Sequence, residues 1–339
     1  IELGSSIDAS QMEYIHIDIW TENATALNFE LISPGPSIST HALSISNGNW
    51  LSFDIPLTSF NGQVYMTLAT NSSLHDGSKS ESEYWQMAYD EAIKVKNSGN
   101  YSLHSNYQDL FTLSGENSSE SIFEYQLSEQ ASNSQLGRNY TPWKYKVGMH
   151  FGWLSVHADV YDDHVSTYPT DPRIEGTYLH YYQRADNGAD VKVYPSTGRN
   201  SFRASHPYLF KFAEKDKSHA AQYNSQNYIV YRYADLLLML AEISNELGLD
   251  TEKMIYLNEV LDRAGVLARP EYSQGKEAFR DAIMDEYKFE VLGEGEDFHH
   301  NRRRGFNYFL THTIKRHNDL IGTEHYVSNR DITLSEDES

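Results

Sequence analysis

The chain has 339 residues, no cysteine, and a formal charge of −21 from 27 basic and 48 acidic residues. That length suits one large or two ordinary domains. The absence of cysteine excludes disulfides, thiolate metal sites and a cysteine nucleophile, and the negative balance opposes nucleic acid and anionic lipid, which need a positive field. Arg302-Arg303-Arg304 does not reverse this and reads as a helix end or a salt-bridge feature. No apolar run exceeds about six residues, Leu236 to Ala241, against the roughly 20 that span a bilayer. No signal peptide reads in the chain, so the polypeptide is expected to be soluble, with any membrane attachment through lipid. Aromatic residues reach 13%, with 25 tyrosines. They read either as ordinary half-buried rings with wet hydroxyls or as sugar-stacking surface.

Residues 1 to about 60 alternate apolar and polar side chains, as half-buried strands do. Tyr14–Trp20, Leu27–Leu31, Ala42–Ile45 and Trp50–Ile55 are four predicted strands, with a turn at Pro34-Gly35-Pro36. Four short strands in 60 residues suggest a β-sandwich piece. A seam falls near Phe60 to Gly62. Beyond it, Tyr84, Met87, Ala88, Ala92 and Val95 sit at helical spacing, and Gly99 stops that helix. Tyr107 to Phe111 predicts a short helix, and Glu116 to Glu124 leads into a strand.

Residues 128 to 150 lack periodicity and are rich in Ser, Asn and aromatics, which predicts a loop. Exposed rings in a loop have a physical use: a flat ring covers the C–H face of a pyranose while Asn, Gln and Arg bond its hydroxyls. Tyr140, Trp143, Tyr145 and Trp153 are the candidate stacking residues, and Arg138 and Asn139 the candidate hydroxyl partners. The bland alternative is that these rings fold back on the domain. Leu154, His157 or Ala158, and Tyr161 then share a helix face. Asp171-Pro172-Arg173 predicts a turn with an arginine salt bridge. Asp159, Asp162, Asp163 and Asp171 could suit Ca²⁺, which wants several carboxylates, but EF-hand spacing is missing and no cofactor is expected. Loops and short strands follow from Tyr178 to Ala221.

Tyr228 to Gly265 predicts a short strand and a helical hairpin. Leu236, Leu237, Leu240, Ala241 and Leu247 share one helix face, and Met254, Leu257, Leu261 and Ala264 share the next. Gly248 and Gly265 end the two helices. Residues 275 to 293 predict another helix, whose stripe of Glu286, Glu290 and Glu294 is spaced by four. Paired carboxylates hydrolyse glycosides, yet acids on one helix stripe point the same way, which favours a structural role. His299, His300, His312, His317 and His325 lack metal spacing and read as polar surface. No phosphate loop or nucleophile elbow appears.

Arg232 to Glu242 (RYADLLLMLAE), then Asn245-Glu246, Leu257-Asn258-Glu259-Val260 and Arg263-Ala264-Gly265, resemble the signature of the SusD/RagB family, surface glycan-binding lipoproteins of Bacteroidota that partner a TonB-dependent transporter. Val64 to Ala69 and the string Gly115 to Gln126 (GENSSESIFEYQ) resemble two further signatures of that family, and Gly152 to Arg173 a fourth that lacks its usual proline. The resemblance implies a mainly α fold of tetratricopeptide-type helical repeats with long loops over 61–339. It also implies acid–arginine packing of the helix bearing Glu290. There the chain departs from the pattern, with Tyr287 where Arg is usual and Glu296-Asp297 replacing another Arg. Excess acid and looser packing are therefore expected around Glu290 and Glu294.

Residues 1–60, a short all-β piece, are similar to carbohydrate-binding modules of marine bacterial β-glucan-degrading proteins. Together these resemblances imply non-catalytic binding of a polysaccharide or oligosaccharide, weakly favouring a β-glucan. They also imply delivery to a TonB-dependent SusC-like transporter at the outer membrane, with a lipid anchor through a Cys upstream of this chain. A glycoside hydrolase using paired carboxylates and a transporter scaffold that binds no sugar are the competing readings.

Overall fold

The structure is a computed structural model, and it describes residues 14–20, 27–32, 38–44, 50–56, 79–128, 135–195, 206–218, 225–321 and 333–336. Two compact units divide it, Ile1–Ala88 and Tyr89–Ser339. The division falls inside helix α1 (Glu81–Asn97). The seam expected at Phe60 to Gly62, and Val64 to Ala69, lie outside the described residues.

In the first unit, β1 (Tyr14–Trp20) pairs antiparallel with β4 (Trp50–Pro56), from Tyr14 opposite Pro56 to Trp20 opposite Trp50. Between them in sequence, β2 (Leu27–Ile32) pairs with β3 (Ile38–Leu43). The alternating pattern foretold all four strands. The third runs Ile38–Leu43 rather than Ala42–Ile45, with Ile38 paired to Ile32.

The second unit is mainly helical. Strand β5 (Ser121–Tyr125) pairs antiparallel with β10 (Tyr228–Arg232). Between these two in sequence lie α2 (Leu136–Tyr140), α3 (Ala158–Thr167), α4 (Arg173–Thr177) and two small ladders: β6 (Tyr178–Leu179) with β9 (Tyr208–Leu209), and β7 (Tyr181–Gln183) with β8 (Asp190–Lys192). Beyond β10 come α5 (Tyr233–Leu247), α6 (Asp250–Ala264), α7 (Lys276–Val291) and α8 (Asp297–Arg303). α9 (Phe306–Phe309), a π-helical stretch (Leu310–Lys315) and α10 (Arg316–Leu320) follow.

The α5–α6 hairpin closes as its glycines predict. Gly248 takes φ 73°, and the Leu249 amide donates to the Ser244 carbonyl at 2.8 Å. A left-handed residue with that six-residue bond ends a helix at low cost. The predicted apolar face of α5 is too narrow a description. Leu238, Ile243, Glu242 and Asn245 are buried as well, because α5 packs against both α6 and α7.

Many tyrosines fill the core rather than the surface. Tyr107, Tyr178, Tyr194, Tyr272 and Tyr287 are almost fully buried, and each hydroxyl has a partner. Tyr107 donates to the Glu290 carbonyl at 3.0 Å, and Tyr272 to the Glu286 carboxylate at 2.8 Å. A buried hydroxyl left unpaired would be costly, so these bonds permit the burial.

The acids around Glu290 outnumber their cations by one, yet each of them is paired with a basic side chain. Glu290 is buried and accepts from Arg232 Nη1 at 2.5 Å, from Arg173 Nη1 at 2.9 Å and from Arg263. Arg173 also holds Glu286 at 2.7 Å, and Arg232 and Lys211 hold Glu294 at 2.7 and 2.6 Å. Glu120 accepts from Arg232 at 2.7 Å and Arg263 at 3.2 Å, and Asp171 from Arg173 at 2.7 Å. In this buried cluster four cations face five carboxylates. The cations that the local string lacks arrive from α4, β10, α6 and the segment after β9. Burial alone would raise the Glu290 carboxyl, but Arg263, Arg232 and Arg173 outweigh it and hold it well below the usual range. Burial brings Lys211 down to about 8, against the pull of Glu294.

The histidines of the C-terminal part are not all polar surface. His300 is buried and stacks on Tyr287 with centroids 4.0 Å apart, and burial holds its pKa well below the usual value. His312 stacks on Tyr308, and His317 lies 3.2 Å from His157. His325 lies outside the described residues. The Arg302–Arg304 run ends α8, as predicted, with Arg303 paired to Glu242 and Arg304 to Asp281.

Candidate functional site

The chain from α2 to α3 builds an exposed aromatic surface from residues of two opposite fates. Tyr140 and Tyr145 are pulled inward. Tyr140 is 7% exposed and meets Phe212 edge-on at 5.4 Å. Tyr145 is equally buried, edge-on to Tyr182 at 5.8 Å and Phe210 at 5.5 Å, and burial pushes its hydroxyl up to about 12. Neither ring offers a face to a ligand, which corrects their assignment as stacking residues. They pin the loop instead. A loop without periodicity gives no sign of which rings turn inward, and large aromatics lower the free energy most by burial. His150 is buried too, and burial, helped by Lys146, takes its pKa down to about 4.

Trp143 and Trp153 are left outside, 45% and 67% exposed. Gly152 packs closely against the residue before Trp143. It takes φ 54°, and a Cβ built on it would lie 2.9 Å from the Pro142 Cα and 3.0 Å from the Tyr208 ring. Only glycine permits that approach. Each tryptophan lies one residue beyond that contact. Two backbone bonds lock this register: the Phe151 amide donates to the Arg138 carbonyl at 3.0 Å, and the Trp153 amide to the Asn139 carbonyl at 2.8 Å.

Trp153 stacks on Phe151, centroids 4.6 Å apart and 15° from parallel. The Arg138 guanidinium lies 4.4 Å from the Phe151 centroid. Arg138 and Trp153 thus both pack against the Phe151 ring. Arg138 Nε also donates to the Met149 carbonyl at 2.9 Å. Arg138 thus also supports the stack, while its half-exposed guanidinium keeps further N–H groups. Asn139 is half buried, its carbonyl engaged by Trp153. Sequence reasoning missed Phe151, which stacks on Trp153 across the left-handed Gly152.

Trp143 carries cations. Lys144 Nζ and Arg184 Cζ lie 4.6 and 4.9 Å from its ring. Both reach one carboxylate, Asp186: Lys144 at 2.5 Å and Arg184 at 2.7 Å. Arg184, then Lys144, hold that carboxyl down to about 2. Lys144 stands at φ 62°, a left-handed conformation that costs a non-glycine residue about 1–2 kcal/mol.

The four aspartates considered for calcium are divided among other partners. Asp159 meets His157 and Arg316, Asp162 accepts from Tyr194 at 2.6 Å, Asp163 pairs with Arg316, and Asp171 lies in the buried cluster. The salt bridge predicted for Asp171 and Arg173 is present. Among the described residues no three of His, Asp or Glu form a group that could hold a metal ion.

A family model described as the SusD family, SusD_RagB, matches residues 70–337. The chain belongs to the SusD family. SusD-like protein P25 of Formosa agariphila is 35% identical over 116 residues, which are 33% of this chain and 21% of that one. Among solved structures, the fold is similar to surface glycan-binding protein A of Bacteroides thetaiotaomicron in complex with laminarihexaose. That match has a TM-score of 0.52 and 22% identity, and covers 66% of this chain and 51% of that one. A SusD superfamily protein of Parabacteroides distasonis matches with a TM-score of 0.55 and 19% identity, over 70% of this chain and 50% of that one. B. fragilis NanU matches with a TM-score of 0.52 and 20% identity, over 71% of this chain and 54% of that one. The chain thus spans about half the length of these solved relatives and about a fifth of the curated one. At such identities the likeness speaks for the fold: this is the SusD-like helical fold.

Proposed function

We propose that this protein binds a polysaccharide or oligosaccharide at the cell surface without cleaving it, and delivers it to a TonB-dependent SusC-like transporter. We place it at the outer membrane, held by a lipid anchor. The observation that carries this reading is the Arg138–Phe151–Trp153 stack on a SusD-type body. It holds an indole with one face covered and most of its area in water, the arrangement that suits the C–H face of a pyranose. A relative of this fold is described with laminarihexaose bound, which adds support for an oligosaccharide ligand. The β-glucan inclination comes from residues 1–60 and not from the platform.

The non-catalytic reading draws on the acids. Glu286, Glu290 and Glu294 are buried beneath arginines and Lys211, and a pair of catalytic carboxyls must flank an accessible bond. Affinity electrophoresis in laminarin, xylan and starch tests the proposal. Retardation lost in Trp153→Ala, with no reducing ends released, supports it. Release of reducing ends that Glu290→Gln abolishes would favour the hydrolase, and unchanged mobility on every glycan would favour a bare scaffold.

A further inference from the structure

The platform is charged differently from the rest of the chain. Residues 135–158 hold three basic residues (Arg138, Lys144 and Lys146) and no acidic one, in a chain of net charge −21. Lys146 is buried against Glu214 at 3.1 Å and so is spent. Of the other two, Arg138 lies over Phe151 and Lys144 over Trp143, where Arg184 joins it. Lys144 and Arg184 both lie over that indole, and between them they have the single carboxylate Asp186. Lys217 lies 4.6 Å from the Tyr145 centroid, beneath the same segment, with its backbone carbonyl bonded to the Val147 amide at 3.0 Å. Two cations, Lys144 and Arg184, thus share one carboxylate beside an exposed indole, with Asp190, bonded to Gln183, and Asp216, next to Lys217 in sequence, the other acids nearby. A neutral glycan needs only the rings and hydrogen-bonding groups. Extra cations beside a stacking ring suit a sugar that carries its own negative charge, because a charged hydrogen bond to carboxylate or sulfate is roughly twice as strong as a neutral one. A locally positive site is also what admits a polyanion to a protein whose overall field repels it.

Granting the glycan-binding reading, on which this rests, we infer that the platform takes an anionic glycan, carboxylated or sulfated, with Trp143 stacking a ring and Lys144 and Arg184 binding its charged group in place of Asp186. The three-way contact at Asp186 is then a resting arrangement that the ligand opens. The bland alternative is an ion pair that merely covers Trp143. It predicts no preference among glycans.

Polygalacturonate, ι-carrageenan, laminarin and single-stranded DNA separate these readings, with binding of the full chain measured at about 50 and 300 mM NaCl. The expected result is binding to polygalacturonate or ι-carrageenan, weakened about tenfold by the added salt and another tenfold in Lys144→Asn. Asparagine suits the left-handed backbone there, so that variant removes the charge while keeping the fold. Arg184→Gln, with its melting temperature recorded, is the second variant. Salt-independent binding to laminarin without binding to either anionic glycan would overturn the charge assignment and leave glycan binding standing. Anionic-glycan binding unmoved by both variants would overturn the assignment to Lys144 and Arg184. Equal binding of single-stranded DNA would mark a bare polyanion effect and overturn it too. Binding to none of these, and to no neutral glycan, would remove the glycan reading itself.

Discussion

Glu290→Gln probes the buried cluster. The change keeps the shape of the side chain and removes one charge from contact with three guanidinium groups. None of the three is left alone. Arg173 keeps Asp171 and Glu286, Arg232 keeps Glu120 and Glu294, and Arg263 keeps Glu120. Breaking a buried pair costs about 3–5 kcal/mol, and the remaining partners put this case near the lower end, about 3 kcal/mol. A unit the size of Tyr89–Ser339 loses about 2–4 °C of melting temperature per kcal/mol, so a drop of roughly 6–12 °C is expected. The control is Glu277→Gln, an exposed acid on the same helix paired with Arg280, which should change stability by under about 1 kcal/mol. Thermal and urea unfolding followed by circular dichroism give both values. Equal melting temperatures for the two variants would refute the view that the cluster holds the helices together. The same geometry predicts a pH response. Glu290 has a folded pKa below its unfolded one of about 4.3, so its contribution is complete above that pH. It is lost as pH falls through the folded value.

Other outcomes follow from single residues. Asp235 is buried, 3.8 Å from His300, and burial, then Glu296, raise its pKa to about 7. Its unfolded value is about 3.9, so the folded state holds the proton between those pH values and stability declines as pH rises through that window. Asp235→Asn should therefore be more stable than the wild type at pH 8 and show little difference near pH 4, as read by urea titrations at the two pH values. Gly152→Ala puts a methyl 2.9 Å from the Pro142 Cα at φ 54°. It should cost about 1–3 kcal/mol and weaken glycan binding by moving Trp153. Arg138→Ala should leave the melting temperature within a few degrees yet lower glycan affinity, since it frees Phe151 beneath Trp153; isothermal titration reads the change.

The α5–α6 hairpin was legible because its information is local. Leu236, Leu240, Leu257 and Leu261 recur at helical spacing, and Gly248 and Gly265 mark the ends. The four strands of the first unit were legible for the same reason. The charge cluster was not, since Glu290 meets arginines 27, 58 and 117 residues away. The local string shows the acids and hides their partners. In the platform, sequence singled out Trp143 and Trp153, which are exposed, and misread Tyr140 and Tyr145, which are buried. Those two rings belong to cores completed by Phe212, Tyr182 and Phe210, far along the chain. Trp153 is supported by Phe151 two residues before it, a cue within reach of sequence reading.

The central claim is that an exposed, pre-stacked indole on a SusD-type body binds glycan. Titration of wild type and Trp153→Ala with a panel of neutral and anionic polysaccharides tests it most directly. The account predicts measurable binding of at least one polysaccharide by the wild type. It predicts at least tenfold weaker binding by Trp153→Ala, with an unchanged melting temperature because the ring is mostly in water. Equal affinity of the two proteins for every glycan that binds would contradict it.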